Sequence, residues 1–149
     1  MKYEDLLPTL DTGDLFLFQG KHSVISSIIR YFTNSKWTHV GVVLKNPTMI
    51  DPNLHGLYLW ESGLEDFPDS ENHEHKCGIQ IVNLEKKIKT YDGVIAVRRL
   101  HCNREPFSTK LKIIHTSVHN KPYDIDVWDF IISKLGITCF DQGNFKSTF

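Results

Sequence analysis

The period of hydrophobic and polar positions changes several times along the chain. Leu15-Phe16-Leu17-Phe18 is a short apolar run opening from the Thr12-Gly13 turn, which predicts a buried strand. Val24, Ile25, Ile28, Ile29 and Phe32 then recur at helical spacing behind Ser23, a residue type that caps helix starts; Asn34-Ser35 stops the pattern. His39 to Leu44 reads as a second strand closed by Asn46-Pro47, and Leu57 to Glu61 as a third after the Asp51-Pro52-Asn53 loop. Residues 65–76 are polar and interrupted by Pro68, so they predict a long mobile loop. Gly78 to Val82 alternates like a strand, and Asp92-Gly93 turns into another over Val94 to Val97. Ser108 can cap a helix bearing Leu111, Ile114 and Val118. Asp124 or Asp126 can open a last helix, with Val127, Phe130, Ile131 and Leu135 on one face and Gly136 as its stop. One helix, a run of strands and then two helices predict an α+β domain with an antiparallel sheet packed against helices.

Bulk properties narrow the classes. A length of 149 residues suits one domain with a real core. The 40% hydrophobic and 23% charged content is that of a globular chain, not a disordered one. A formal net charge of -1 gives no pull towards nucleic acid or an anionic membrane, and Lys86-Lys87 with Lys89 reads as a solvated face. No apolar run is long enough for a transmembrane segment, and the start Met1-Lys2-Tyr3-Glu4-Asp5-Leu6 has no apolar signal core. Three cysteines at irregular spacing make no disulfide framework, which points to a reducing, cytoplasmic setting.

The candidate chemistry centres on two strand ends. In Trp37-Thr38-His39-Val40-Gly41-Val42-Val43-Leu44 the histidine stands at the entrance of an otherwise apolar strand. Taken alone, it reads as a half-buried histidine satisfied by backbone. The strand Leu57-Tyr58-Leu59-Trp60-Glu61 ends on a carboxylate, however, and a general base needs such a partner on its second ring nitrogen. Asp14 follows a glycine turn and reads as a residue that ties that turn to its own backbone. His73-Glu74-His75 with Cys77 offers zinc-type ligands, but crowded in one loop with no second pair at a standard spacing, so neither metal nor cofactor is expected there. Cys102 reads as a small buried hydrophobe. Cys139 follows a helix, whereas an activated thiolate sits at a helix N-terminus.

On these residues the chain resembles the circularly permuted branch of the NlpC/P60 papain-like superfamily, that of the YiiX/YaeF-type proteins and their poxviral relatives. Gly13-Asp14-Leu15-Phe16-Leu17-Phe18 is similar to the family's opening strand, and Thr38-His39-Val40-Gly41-Val42-Val43 to its histidine strand. Trp60-Glu61-Ser62 is similar to the strand bearing its third polar residue, and Lys121-Pro122-Tyr123-Asp124 to the motif before its closing helix. The likeness covers nearly the whole chain in order. It implies a single permuted papain-like domain over 1–149, a cysteine-dependent hydrolase or acyltransferase acting on amide or ester bonds, His39 as base and Glu61 as its orienter. In the permuted branch the cysteine sits in a Cys-Ser-Glu-like motif after the Tyr-Asp helix. This chain departs there, reading Lys146-Ser147-Thr148-Phe149.

Three expectations follow for the nucleophile. In the first the cysteine is encoded just beyond Phe149, leaving the 149-residue form inactive; in the second the chain is a pseudoenzyme; in the third Cys139 substitutes. The expected partner is a small-molecule, peptide or lipid acyl substrate, with Trp37, Tyr58 and Trp60 leaning towards an acyl or lipid one. The alternative is a catalytically inactive ligand- or protein-binding module on the same fold.

Overall fold

The computed structural model describes residues 3–20, 24–63 and 67–119. A short helix α1 (Tyr3–Leu6) and a 3-10 turn (Leu7–Thr9) lead into strand β1 (Leu15–Gly20). Helix α2 (Val24–Thr33) follows, then β2 (His39–Lys45), β3 (Leu57–Gly63), β4 (Gly78–Asn83), helix α3 (Leu84–Thr90), β5 (Gly93–Arg98) and helix α4 (Glu105–Val118). The five strands form one sheet in the order β4-β3-β2-β1-β5, and every neighbouring pair is antiparallel. The architecture is α+β.

Strand alternation divides the core between the two faces of this sheet. On one face Phe16, Phe18, Val43, Leu59 and Val82 join Leu10 and Leu84. On the other, Leu44, Tyr58 and Ile81 join Leu54 and Leu111, the last from α4. Tyr58 therefore belongs to the core rather than to a substrate surface, and its hydroxyl donates to the His55 carbonyl at 3.2 Å.

Local chemistry sets the element ends. Asn34 stops α2 in the left-handed region at φ 51°, where asparagine is tolerated better than most residues. Asn46 turns the chain after β2, its side-chain oxygen accepting the Gly56 N–H at 2.7 Å. Asn83 caps α3 by accepting the Lys86 N–H at 3.0 Å.

The structure corrects several sequence expectations. α3 interrupts the supposed run of strands. Its seven residues carry only Leu84 and Ile88 as an apolar face, too short a pattern to show as periodicity. Lys87, read as part of a solvated face, is 6% exposed because it falls on the sheet side one turn after Leu84. α4 begins at Glu105 with a proline in its first turn, so Ser108 lies inside the helix instead of capping it. Cys102 is exposed, not a core residue.

The polar segment expected to be a mobile loop is tied to the sheet. Asp69 is fully buried and pairs with Lys76; its side chain accepts the Glu71 N–H at 3.1 Å and the Ile81 N–H at 3.3 Å. Ser70 N–H donates to the Ile81 carbonyl at 2.7 Å. Ser23, the helix expected from Asp124 or Asp126, and Cys139 lie outside the described residues.

Candidate functional site

His39 is the first residue of β2, with Phe18 directly opposite in the β1 register. The Phe18 ring packs against the imidazole at 5.5 Å between centroids. Glu61 lies on β3, where the β2–β3 register pairs Val42 with Trp60. Extending that register by one residue sets Gly41 opposite Glu61, so His39 stands diagonally across from it on the same face. Two glycines keep the diagonal clear. Gly41 offers no side chain beside Leu59, and a Cβ at Gly63 would come within 3.3 Å of a Glu61 oxygen and 2.9 Å of the Gln80 amide nitrogen.

The structure brings His39 and Glu61 together. His39 Nε2 lies 2.8 Å from Glu61 Oε2, with the imidazole 30% exposed and the carboxylate wholly covered. The other carboxylate oxygen is held by Lys87, whose Nζ donates to Oε1 at 2.7 Å. Lys87 also sits over the Phe67 ring at 5.5 Å. The site is therefore a His–Glu–Lys triad, and sequence reasoning missed its third member. The one available signal was Leu84, Lys87 and Ile88 at i, i+3 and i+4, which puts the lysine on an apolar helix face.

Burial works against an ionised Glu61. The hydrogen bond from His39 and the charges of Lys87 and His39 outweigh it, so the carboxyl titrates below its ordinary range. An ionised Glu61 fixes the imidazole tautomer. Nε2 carries the hydrogen and donates it, which leaves the lone pair on Nδ1. The pair can thus hold a base with a defined nitrogen available for proton transfer.

A cavity of about 380 Å³ is lined by Thr38, His39, Val40, Trp60, Glu61, Ser62 and Ile79; strand alternation turns Val40, Trp60, Ser62 and Ile79 to the face of the sheet opposite the His39 and Glu61 side chains, so it lies behind the pair. Val40, Trp60 and Ile79 make much of that wall apolar. No cysteine lines it among the described residues.

Asp14 lies apart from the triad and serves the scaffold. It is fully buried, accepts the Asp11 N–H at 3.1 Å and the Leu100 N–H at 3.0 Å, and pairs with Arg99 at 2.8 Å and Arg104 at 2.7 Å. Burial raises its pKa, and those four donors together override it and hold the carboxyl at about 2. The turn-tying role extends beyond its own turn to the chain leaving β5.

Among the described residues, the convergent group of potential metal-ligand side chains is Glu71, His115 and His119. His73, His75 and Cys77 form no such group.

No protein-family model matches the chain, and no curated protein matches it. Among the described residues, no helix is long and apolar enough to cross a membrane.

Proposed function

We propose that this chain carries the histidine–carboxylate half of a cysteine-dependent acyl-transfer site, on a circularly permuted NlpC/P60 papain-like domain. The observation that carries the reading is the 2.8 Å contact of a partly exposed His39, through Nε2, with a buried, ionised Glu61. In this reading Nδ1 takes the proton of a thiol, and the resulting thiolate attacks an amide or ester carbonyl. The imidazolium then returns the proton to the leaving nitrogen or oxygen. Glu61 keeps the tautomer and stabilises the imidazolium without itself being protonated. The thiol is Cys139 or a cysteine encoded beyond Phe149.

A second reading, a non-catalytic ligand- or protein-binding module, is favoured by Lys87. It already neutralises Glu61, so the triad also works as a closed internal ion network.

The test assays the 149-residue chain and its full open reading frame on generic ester and thioester substrates, with and without a cysteine alkylator. Alkylator-sensitive turnover abolished by His39→Gln is expected, with peptide mapping identifying the labelled cysteine. If Cys139 is the labelled residue and Cys139→Ser abolishes turnover, Cys139 is the nucleophile. Saturable binding of an acyl compound without turnover in either form would replace the enzyme reading with the binding one.

A further inference from the structure

Glu71, His115 and His119 converge on the face of the sheet opposite the His39 site. His115 and His119 are one helical turn apart on α4 and its C-cap, a spacing that puts both imidazoles on one side of a helix. It is also a standard zinc half-site spacing, the pair that the 73–77 loop lacked. His115 Nε2 lies 2.9 Å from Glu71 Oε2, and His119 Nδ1 lies 3.0 Å from the same oxygen. The three ligand atoms all fall within 4.8 Å of one another. Ligands held tetrahedrally at about 2.1 Å from zinc stand roughly 3.4 Å apart, so an outward shift of a few tenths of an ångström accommodates an ion.

Hydrogen bonding alone accounts poorly for this arrangement. His119 Nδ1 is shut off from solvent yet makes no hydrogen bond among the described residues, although a carboxylate oxygen stands 3.0 Å away; its lone pair or N–H is not aligned with that oxygen. His115 is 5% exposed and its Nδ1 has no partner among the described residues. The two rings approach to 4.6 Å between centroids. Two imidazoles this close, each with a ring nitrogen within 3.0 Å of one carboxylate oxygen, are the donor set that a borderline divalent cation accepts.

The supports are preorganised. The Glu71 N–H is held by buried Asp69 at 3.1 Å, the His119 N–H donates to the His115 carbonyl at 2.7 Å, and the Trp60 ring packs on His115 at 6.1 Å. A cavity of about 230 Å³ borders all three side chains, with room for a water as fourth ligand.

We propose that Glu71, His115 and His119 form a binding site for one zinc-class divalent cation, which pins the end of α4 to the segment before β4. The proposal stands independently of the acyl-transfer reading. To test it, the 149-residue chain is stripped with a chelator and titrated with Zn²⁺ against a chromophoric competitor. One ion per chain and a raised melting temperature are expected. Glu71→Gln and His119→Gln should each weaken binding by more than about tenfold while circular dichroism stays native, and His73→Gln/His75→Gln should leave it intact. Should a variant fail to fold, the imidazole resonances of the unmodified protein decide: zinc should move those of His115 and His119. No stoichiometric binding, retention of affinity in both Glu71→Gln and His119→Gln, or zinc-induced shifts confined to His73 and His75 would overturn the site.

Discussion

Glu61 is shared between two cations of different character. The His39 side chain is 30% exposed, whereas the Lys87 side chain is 8% exposed and locked to Oε1. Removing the carboxylate charge therefore strands a buried ammonium. Glu61→Gln should cost about 3 kcal/mol in urea denaturation, since breaking one side of a buried pair leaves an uncompensated charge. Lys87→Met should also destabilise, and it removes two of the interactions that hold the Glu61 carboxyl low. The double variant should lose less than the sum by at least about 1 kcal/mol, because the two groups act on each other directly. Additive losses would show that the contact contributes nothing as a pair.

At the scale of elements, Asp14 latches β1 to the chain leaving β5. β5 pairs with β1 over the register Leu15–Arg98 to Gly20–Gly93, so strands far apart in the chain lie side by side. The Arg99, Leu100 and Arg104 contacts converge on the Asp14 carboxylate where β1 begins. The carboxyl titrates at about 2 in the folded chain against an ordinary 3.8. A depressed pKa stabilises the fold above the unfolded value, and that contribution is lost as pH falls towards the folded one. Stability should therefore drop by about 2 kcal/mol between roughly pH 4 and pH 2, from a shift of nearly two pKa units. Asp14→Asn should start lower at neutral pH and lack that portion of the acid loss. Circular dichroism during denaturant unfolding at stepped pH checks both. Unchanged acid sensitivity in Asp14→Asn would assign the loss to other carboxylates, Glu61 foremost.

At the scale of the whole molecule, the sheet is covered from both sides by different helices. α3 closes the face that holds His39 and Glu61, and α4 packs on the other through Leu111. Leu111 is 5% exposed, so Leu111→Ala should cost about 2–4 kcal/mol through lost burial and the cavity left behind. Hydrogen exchange should show α4 amides losing protection first, with β1, β2 and β3 keeping theirs. A uniform loss across sheet and helix would mean that both layers unfold as one unit.

Local pattern determined much of this. Apolar runs bounded by Gly, Asn and Pro placed all five strands, because strand burial imposes an alternation readable over a few residues. The same runs placed His39 at the start of β2 and Glu61 on β3, although that strand continues past the expected end at Glu61 to Gly63, and helical spacing identified α2 and most of α4. What the sequence could not decide was which polar residues the fold covers. Lys87 and Asp69 read as solvent-facing because their neighbours are polar. Each is buried because a counter-charge from a distant segment or a short loop, Glu61 or Lys76, meets it there. His115 and Glu71 are 44 residues apart in the chain and come within 2.9 Å only when α4 folds onto the sheet. Periodicity reports which side of an element is apolar. Partners across elements depend on register and docking, and those are settled only when the whole core closes.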